Sequence, residues 1–193
     1  MQTWFTSDTH FGHANIIEYC ERPFDSIEAM RDGLIERWNK VVAPTDQVLV
    51  LGDFALGRID DTLAVLPELN GAKDLIVGNH DRPFDLDPRR RAEWTTRYLA
   101  AGFRSVIHGT VGFTLGGRYP VLLGHFPYAG DSHGEDRYAE QRPFDGGLPI
   151  VHGHVHTAWQ LNGRQFNVGV DVNDYTPVSE DEVIARFTAA GVL

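Results

Sequence analysis

Five short polar motifs, each directly after a run of apolar residues, constrain the fold of this chain more than any other feature. Residues 75–83 (LIVGNHDRP) show the pattern, because an apolar run stops at a glycine and continues with Asn, His and Asp. In chain order the motifs are Asp8-Thr9-His10, Gly52-Asp53, Gly78-Asn79-His80-Asp81, Gly124-His125 and Gly153-His154-Val155-His156. Ligands of open α/β sheets bind beyond the carboxyl ends of the strands. The motifs therefore predict one shared site.

The spacing of apolar residues predicts an α/β protein. Apolar runs and alternation predict strands over residues 3–6, 47–51, 74–77, 105–115, 119–123, 148–151, 159–161 and 165–168. Steps of three and four residues predict a helix that begins at Asp25, with Glu28 in a capping pattern, and ends before Pro44. Further helices are predicted over 60–69, over 88–101 and from Ser179 to about residue 189. Such an order indicates layers of helices on a mixed sheet or on two packed sheets.

Length and charge exclude several classes of protein. The chain has 193 residues, which suits a single domain over residues 1–193. Its net charge of −10 argues against broad binding to long nucleic acids or anionic membranes. It lacks an apolar run of about 18 residues, and its first residues do not form a signal peptide. With a single cysteine, Cys20, these features predict a cytoplasmic protein.

The side chains of the five motifs have the chemistry of a metal centre. They are carboxylates, imidazoles and one amide, which suit Mn, Fe, Zn, Co or Ni, and the lack of thiolate argues against a structural zinc site. Asp8 and His10 are two residues apart, as are His154 and His156, so each pair would point to one side of extended backbone. If Asp53 bridges, two ions could lie about 3.5–4 Å apart. Any one motif alone could be a simple turn, but five together predict metal binding.

The ordered motifs D-x-H, GD, GNH[E/D], GH and GHxH, spread over residues 8–156, resemble those of the calcineurin-like metallophosphoesterase superfamily. Residues 7–24 (SDTHFGHANIIEYCERPF) look like a small bacterial and phage branch of it. The resemblance implies a four-layer α-β-β-α sandwich with two mixed sheets, and two divalent metal ions, for which we favour Mn. It also implies hydrolysis by a hydroxide held between those ions.

The resemblance also implies a role for each matching residue. The first metal would be bound by Asp8, His10 and His156, and the second by Asn79, His125 and His154, with Asp53 bridging both. His80 would face the substrate, as a general acid to the leaving oxygen or as a donor to the phosphoryl group. Asp81 would orient His80. Many relatives have Glu at that position, and the shorter Asp is a departure from the pattern.

Three further residues are candidates for contacts with the substrate: His13, Arg82 and Tyr128. His13 follows Gly12, and either phosphate binding or a helix cap would account for it. Arg82 lies two residues after His80 and could fork onto a pair of phosphate oxygens. Tyr128 opens the segment 128–147, which is long for a connection and which we expect to border the substrate pocket.

Other polar residues have simpler explanations. Arg22 belongs to an R-P-F tripeptide, as Arg82 does, and we favour a solvated side chain beside a proline turn for it. Asp171 could orient a ligating histidine, but an Asx turn is the more economical interpretation. For the remaining histidines we expect structural or surface positions: His108, His133 and His152.

These inferences favour a binuclear metal-dependent phosphodiesterase that acts on small or nucleotide diesters, with cyclic ones among the candidates. A phosphomonoesterase is the nearest alternative, and a nuclease is a third, although the sequence shows no basic groove. A metal-binding interaction scaffold on the same fold is the non-enzymatic alternative. A scaffold has no need of His80 together with all seven ligands, and this chain has them all. Membrane partners are not expected, and the sequence leaves the oligomeric state open.

Overall fold

Two five-stranded sheets and five α-helices form the computed structural model of the chain, which describes residues 1–132 and 137–193. The first sheet contains β1 (Thr3–Thr6), β2 (Gln47–Val50), β3 (Ala72–Ile76), β4 (Ser105–Ile107) and β10 (Val178–Ser179). The second contains β5 (Val111–Leu115), β6 (Tyr119–Leu123), β7 (Ile150–His152), β8 (Leu161–Asn162) and β9 (Gln165–Asn167). The helices are α1 (Asn15–Tyr19), α2 (Ile27–Val41), α3 (Ile59–Leu63), α4 (Pro88–Ala101) and α5 (Glu180–Ala189).

Both sheets are mixed. In the first, the order is β10-β1-β2-β3-β4, with β1 to β4 parallel and β10 antiparallel at the edge. In the second, the order is β5-β6-β7-β9-β8, with β6, β7 and β9 parallel. The predicted α/β architecture with two mixed sheets is confirmed. Because neighbouring parallel strands end at the same edge, the loops after them lie side by side.

The side chains of the first sheet alternate between two hydrophobic clusters. Val48 and Val50 face a cluster shared with α2, α3 and α4, whereas Leu49 and Leu51 face a cluster shared with the second sheet. Helix α5 adds Phe187 to the second cluster, where its ring contacts Phe166. The first sheet is thus covered on both faces, which explains why β2 is a continuous apolar run instead of an alternating one.

The predicted strand over residues 105–115 is wrong, because the chain changes sheets within it. Ser105–Ile107 pairs with β3 in the first sheet, and Val111–Leu115 pairs with β6 in the second. Gly109 has a φ of +80° between the two strands, a conformation that glycine adopts without steric cost. The apolar pattern continues through this crossing, and it does not show to which sheet each part belongs.

The helix predictions need three corrections. Helix α2 begins after Ser26, whose hydroxyl accepts the N–H of Ala29, so Ser26 and not Asp25 is the cap. The predicted helix over residues 60–69 is split into α3 and a 3-10 turn at Leu66–Glu68, because Pro67 cannot donate a helical hydrogen bond. Helix α1 was not predicted.

No helix in the described ranges has the length and apolar content needed to cross a membrane.

Candidate metal centre

The structure brings the five polar motifs together at one edge of the two sheets. The motifs follow β1, β2, β3, β6 and β7, and the side chains predicted as metal ligands lie close to one another there. Most of them are almost fully buried, with Asp8 at 0% and His10 and Asp53 at 1% exposure. The seven side chains are Asp8, His10, Asp53, Asn79, His125, His154 and His156.

Two groups of ligand atoms share Asp8. A carboxylate oxygen of Asp8 and ring nitrogens of His10 and His156 lie within 4.8 Å of one another. An oxygen of Asp8 also belongs to a second group of the same compactness, with Asp53 and His125. Carboxylate and imidazole are the donors that divalent first-row metals take in proteins. The residues present therefore fit two neighbouring divalent cations.

Asp53 connects these groups, and Asn79 links His154 to His125 of the second group. Oδ2 of Asp53 lies 3.7 Å from Nε2 of His10 and 3.4 Å from Nε2 of His125. Oδ1 of Asn79 lies 3.0 Å from Nε2 of His125 and 3.1 Å from Nδ1 of His154. Asp53 thus stands between imidazoles of the two groups, as a bridging ligand must.

The motif backbones are held in a conformation that few side chains adopt. Five of the predicted ligands have a left-handed φ: Asp8 (57°), His10 (50°), Asp53 (55°), His154 (72°) and His156 (45°). This corrects the expected extended geometry of the D-x-H and H-x-H pairs, which lie in turns beyond their strands. Such conformations cost of order 1–3 kcal/mol each, and they concentrate at functional sites.

Glycines permit the close approach of the motifs. A Cβ atom on Gly153 would overlap the side chains of Ser7 and Asp8, and one on Gly78 would overlap Asp53 and the ring of His125. The role of these two glycines is therefore to leave room for neighbouring loops. The sharp turn expected at the motif glycines occurs at Gly52, where φ is +90°.

The electrostatics of the cluster favour the binding of cations. Burial raises the pKa of Asp8 and Asp53 above their usual range, and the neighbouring Asp53 charge adds to the shift of Asp8. Burial also lowers the pKa of His10, and neighbouring His156 lowers it further. Both ring nitrogens of His10 are buried without a hydrogen-bond partner in the part of the chain that the structure describes. An unsatisfied buried imidazole beside two carboxylates is the arrangement that a bound divalent cation would complete.

A buried carboxylate fixes the ring of His156. Nδ1 of His156 lies 2.8 Å from Oδ2 of Asp171. The guanidinium of Arg22 binds both oxygens of Asp171, at 2.7 and 3.1 Å, and donates to the backbone oxygens of Asp8 and Thr9. The interpretations of Arg22 as a solvated side chain and of Asp171 as an Asx turn are therefore wrong. Arg22 and Asp171 are 149 positions apart, and no local pattern signals their pairing.

A second carboxylate holds the ring of His154. Nε2 of His154 lies 3.2 Å from Oδ2 of Asp131, and the guanidinium of Arg137 lies 2.9 Å from Oδ1 of the same residue. The N–H of His154 donates to Oδ2 of Asp8 over 3.0 Å. Sequence reasoning missed Asp131 and Arg137, although it singled out the segment that contains them.

Asp81 acts on the backbone instead of on the ring of His80. Its carboxylate accepts the N–H groups of Gly78, Asp53 and Phe54, over 2.9, 2.8 and 3.0 Å. The expectation that Asp81 orients His80 directly is therefore wrong. The contacts of Asp81 tie the motif after β3 to the motif after β2. His80 is held by its own N–H, which donates to Oδ1 of Asp53 over 2.8 Å.

A cleft of about 180 Å³ opens over the cluster. His80 and His13 line it, and both lie near His10, with ring centroids 5.3 and 5.5 Å from its ring. Ser132 and Arg137 line the same cleft, so the segment 128–147 borders it as expected. Other lining residues are Ile16, Tyr19, Cys20 and Thr157.

The other candidate residues lie elsewhere. The guanidinium of Arg82 lies over the ring of Trp94, 5.7 Å from its centroid, and the hydroxyl of Tyr128 donates to the backbone oxygen of Leu148 over 2.9 Å. Neither lines the cleft. His152 is fully buried, and Nδ1 of its ring lies 2.7 Å from the oxygen of Gly153, which fits the expected structural position. His108 is exposed as expected, and His133 lies outside the described residues.

Comparison with known proteins agrees with this geometry. A family model described as calcineurin-like phosphoesterase matches residues 1–158. The chain is 35% identical to the Gene 66 protein of Mycobacterium phage L5, over 94% of this chain and 91% of that protein. It is also 35% identical to an uncharacterized protein of Methanocaldococcus jannaschii, over 94% of this chain and 88% of that protein.

Among solved structures, a protein of unknown function from Aquifex aeolicus superposes with a TM-score of 0.72 at 28% identity, covering 96% of this chain and 98% of that one. The match to the family model extends over all five motifs and over more than half of the chain. The chain belongs to the calcineurin-like phosphoesterase family, whose members hydrolyse phosphoesters with the aid of divalent metal ions.

Proposed function

We propose that the chain is a phosphodiesterase with a binuclear centre, which Mn²⁺ fills and which cleaves small or nucleotide diesters. One observation carries the proposal: two groups of carboxylate and imidazole ligand atoms share Asp8, and His80 stands free in the cleft above them. The acidic net charge of −10 makes a small diester a better substrate than a long nucleic acid.

Each side chain of the cluster has a part in holding the metals. Asp8, His10 and His156 would hold one cation, and Asn79, His125 and His154 the other, with Asp53 between them. Two divalent cations held there would supply an activated water near neutral pH and would neutralise the charge of the phosphoryl oxygens. The buried carboxylates Asp171 and Asp131 keep the rings of His156 and His154 in the orientation that presents their other nitrogens to the cluster.

His80 assists the departure of the leaving group. Its backbone N–H is anchored to Asp53, so its ring is positioned relative to the cluster while remaining exposed in the cleft. Partial desolvation lowers the pKa of this ring, and the carboxylate of Asp8 opposes that effect. A largely neutral imidazole then donates one N–H to the phosphoryl or leaving oxygen.

Arg137 and His13 both line the cleft and bind the substrate phosphate. Arg137 is an ion-pair partner of Asp131, yet 42% of its side chain is exposed, and it lines the cleft. A guanidinium matches the geometry of two phosphate oxygens. The ring of His13 lies 6.4 Å from that of His80, centroid to centroid.

The test is hydrolysis by metal-free protein reconstituted with Mn²⁺, with bis-p-nitrophenyl phosphate compared with p-nitrophenyl phosphate. We expect a higher kcat/KM for the diester, and no turnover in excess EDTA. His80→Asn should lower kcat for the diester about 10²–10⁴-fold, the usual contribution of a positioned acid or base. Arg118→Gln is the control, because Arg118 is exposed outside the cleft.

Other outcomes separate the alternatives. A preference for the monoester would make the chain a phosphomonoesterase with the same centre. Metal binding without hydrolysis of either substrate, with Mn²⁺, Zn²⁺, Co²⁺ or Ni²⁺, would overturn the proposed enzyme and favour the interaction scaffold.

A further inference from the structure

A second cavity, of about 360 Å³, lies beside the metal centre. It is formed by the segments that follow β3, β4 and β6, together with the start of α4 and one residue of the segment 128–147. Its lining is Val77, Phe84, Leu86, Arg91, His108, Gly109, Thr110, His125, Phe126 and Gln141. None of the residues assigned to the metal cluster except His125 reaches it.

The cavity is next to the cleft. His125 lines the cavity, and its Nε2 lies 3.0 Å from Oδ1 of Asn79, which lines the cleft. Aromatic rings lead from one space to the other. The ring of Phe126 is 4.9 Å from that of His154 and 6.0 Å from that of Phe84, centroid to centroid. Tyr138 adds a third ring, 5.3 Å from Phe126. Such a surface suits a planar group that stacks.

The described lining of the cavity carries an unbalanced positive charge. Nε of Arg91 donates to the backbone oxygen of Asp85 over 3.0 Å, and its two terminal nitrogens have no carboxylate partner among the described residues. The residues of the lining that the structure describes include neither Asp nor Glu. Nearby arginines differ, because Arg90 pairs with Asp85 and Arg97 with Asp60.

Polar groups share the lining of the cavity with Arg91. Thr110 offers a hydroxyl and Gln141 an amide on the same lining. Burial lowers the pKa of His108, and the charge of Arg91 lowers it further, so its neutral ring offers one N–H donor. Arg91 is then the single full charge on the described lining, and its free fork fits two oxygens of a phosphate.

We propose that this cavity binds the part of the substrate beyond the scissile phosphate: a planar group on Phe84 and Phe126, and a second phosphate on Arg91. The inference rests on the proposed function and narrows its substrate class to diesters that carry both an aromatic base and a second phosphate. It assigns Arg91 the recognition of that second phosphate.

A matched pair of chromogenic substrates tests the assignment. Thymidine 5′-(4-nitrophenyl phosphate) has the base but no second phosphate, whereas its 3′-phosphorylated form has both. With the Mn²⁺ protein we expect kcat/KM to be about tenfold or more higher for the 3′-phosphorylated diester, the size of one charge-assisted contact. In Arg91→Gln the ratio of the two values should fall close to one.

Arg89→Gln is the control, because it removes the same charge from the same helix at an exposed residue that does not line the cavity. It should keep the ratio of the wild type. Binding of thymidine 3′,5′-bisphosphate to the metal-free protein, measured by calorimetry, gives a readout without turnover, and Arg91→Gln should weaken it about tenfold.

Two failures are distinguishable. If the wild type hydrolyses bis-p-nitrophenyl phosphate but shows no preference for the 3′-phosphorylated diester, or keeps that preference in Arg91→Gln, the cavity assignment is overturned while the phosphodiesterase stands. If no diester is hydrolysed with any metal, the proposed function has failed. In that case the calorimetric measurement still tests the cavity, because equal binding of the bisphosphate to wild type and Arg91→Gln would overturn the cavity assignment as well.

Discussion

His154 and His156 belong to one motif, and an aspartate paired with an arginine holds the ring of each. The two ion pairs, however, differ in their exposure to solvent. Each ring nitrogen that faces away from the cluster meets an aspartate, and each aspartate meets an arginine. For His156 the support is Asp171 with Arg22, and the side chains of both are fully buried. For His154 it is Asp131 with Arg137, and 42% of the Arg137 side chain is exposed in the cleft.

The difference shows that the pair of Asp171 with Arg22 stabilises the fold, whereas the pair of Asp131 with Arg137 belongs to the site. Arg22 also binds the backbone of Asp8 and Thr9, so its pair with Asp171 holds the motif after β1 in place. The surroundings act oppositely on the two rings. Burial opposes protonation of His156, but the hydrogen bond to Asp171 prevails and raises its pKa well above the ordinary value. Burial and the neighbouring His125 lower the pKa of His154 to about 3.

The largest effect, on the free energy of unfolding, is expected when the buried ion pair of Asp171 with Arg22 is broken. Asp171→Asn keeps the shape of the side chain but leaves the Arg22 charge buried without a carboxylate. Removal of one partner of a buried ion pair costs about 3–5 kcal/mol. We expect the free energy of unfolding of the metal-free protein, measured in urea, to fall by that amount.

Asp145→Asn is the control for this variant, because the pair of Asp145 with Arg164 is exposed, at 41% and 43% of the side chains. Its effect on unfolding should be small. A loss in Asp171→Asn no larger than that of Asp145→Asn would show that the Arg22 pair does not hold the fold.

A smaller effect is expected when Asp131, which holds the ring of His154, is replaced. This change should lower metal affinity more than stability. Asp131→Asn weakens the hold on the His154 ring, and loss of such a carboxylate typically costs about 10–100-fold in metal affinity. The affinity for Mn²⁺ should fall in that range in a calorimetric titration. If Mn²⁺ affinity were unchanged and only stability fell, the two supports would be equivalent parts of the fold.

Arg137→Gln should weaken the binding of the substrate. The guanidinium lines the cleft and reaches Asp131, so its loss removes one charged contact to the phosphate. We expect KM for bis-p-nitrophenyl phosphate to rise about tenfold, with a smaller change in kcat. Arg118→Gln is a suitable control, because Arg118 is exposed outside the cleft. A fall in kcat with constant KM would contradict a binding role.

Sequence predicted the parts of the site that repeat a local signal, and it missed the parts that depend on distant contacts. An apolar strand followed by Gly and Asp, Asn or His marks a motif wherever it occurs, and all five motifs converge. The partners of the ligands carry no such signal. Arg22 and Asp171 meet across 149 positions, and Asp131 lies 23 positions before His154.

The fold shows the same limit. Apolar periodicity placed most strands and helices within a few residues, because burial on one or two faces leaves a pattern in the sequence. The crossing between sheets at Gly109 leaves none, since both Ser105–Ile107 and Val111–Leu115 are β-strands. The cavity beside the metal centre depends on that crossing, because His108, Gly109 and Thr110 line it.

The smallest effect on metal affinity is expected from replacement of Cys20. This variant tests the claim that carboxylates, and not a thiol, hold the rings of His154 and His156. A sulfur of Cys20 lies within 4.8 Å of a ring nitrogen of His156 and of an oxygen of Asp171, so a thiol is available there as a metal ligand or as a support. A neutral thiol is a weak hydrogen-bond partner, and Mn²⁺ prefers oxygen and imidazole donors. Cys20→Ala should therefore change Mn²⁺ affinity by less than about threefold, well below the 10–100-fold cost of losing a supporting carboxylate. Titration with Zn²⁺, which accepts thiolate, gives the stricter test, and a tenfold loss of Zn²⁺ affinity in Cys20→Ala would make the thiol part of the centre.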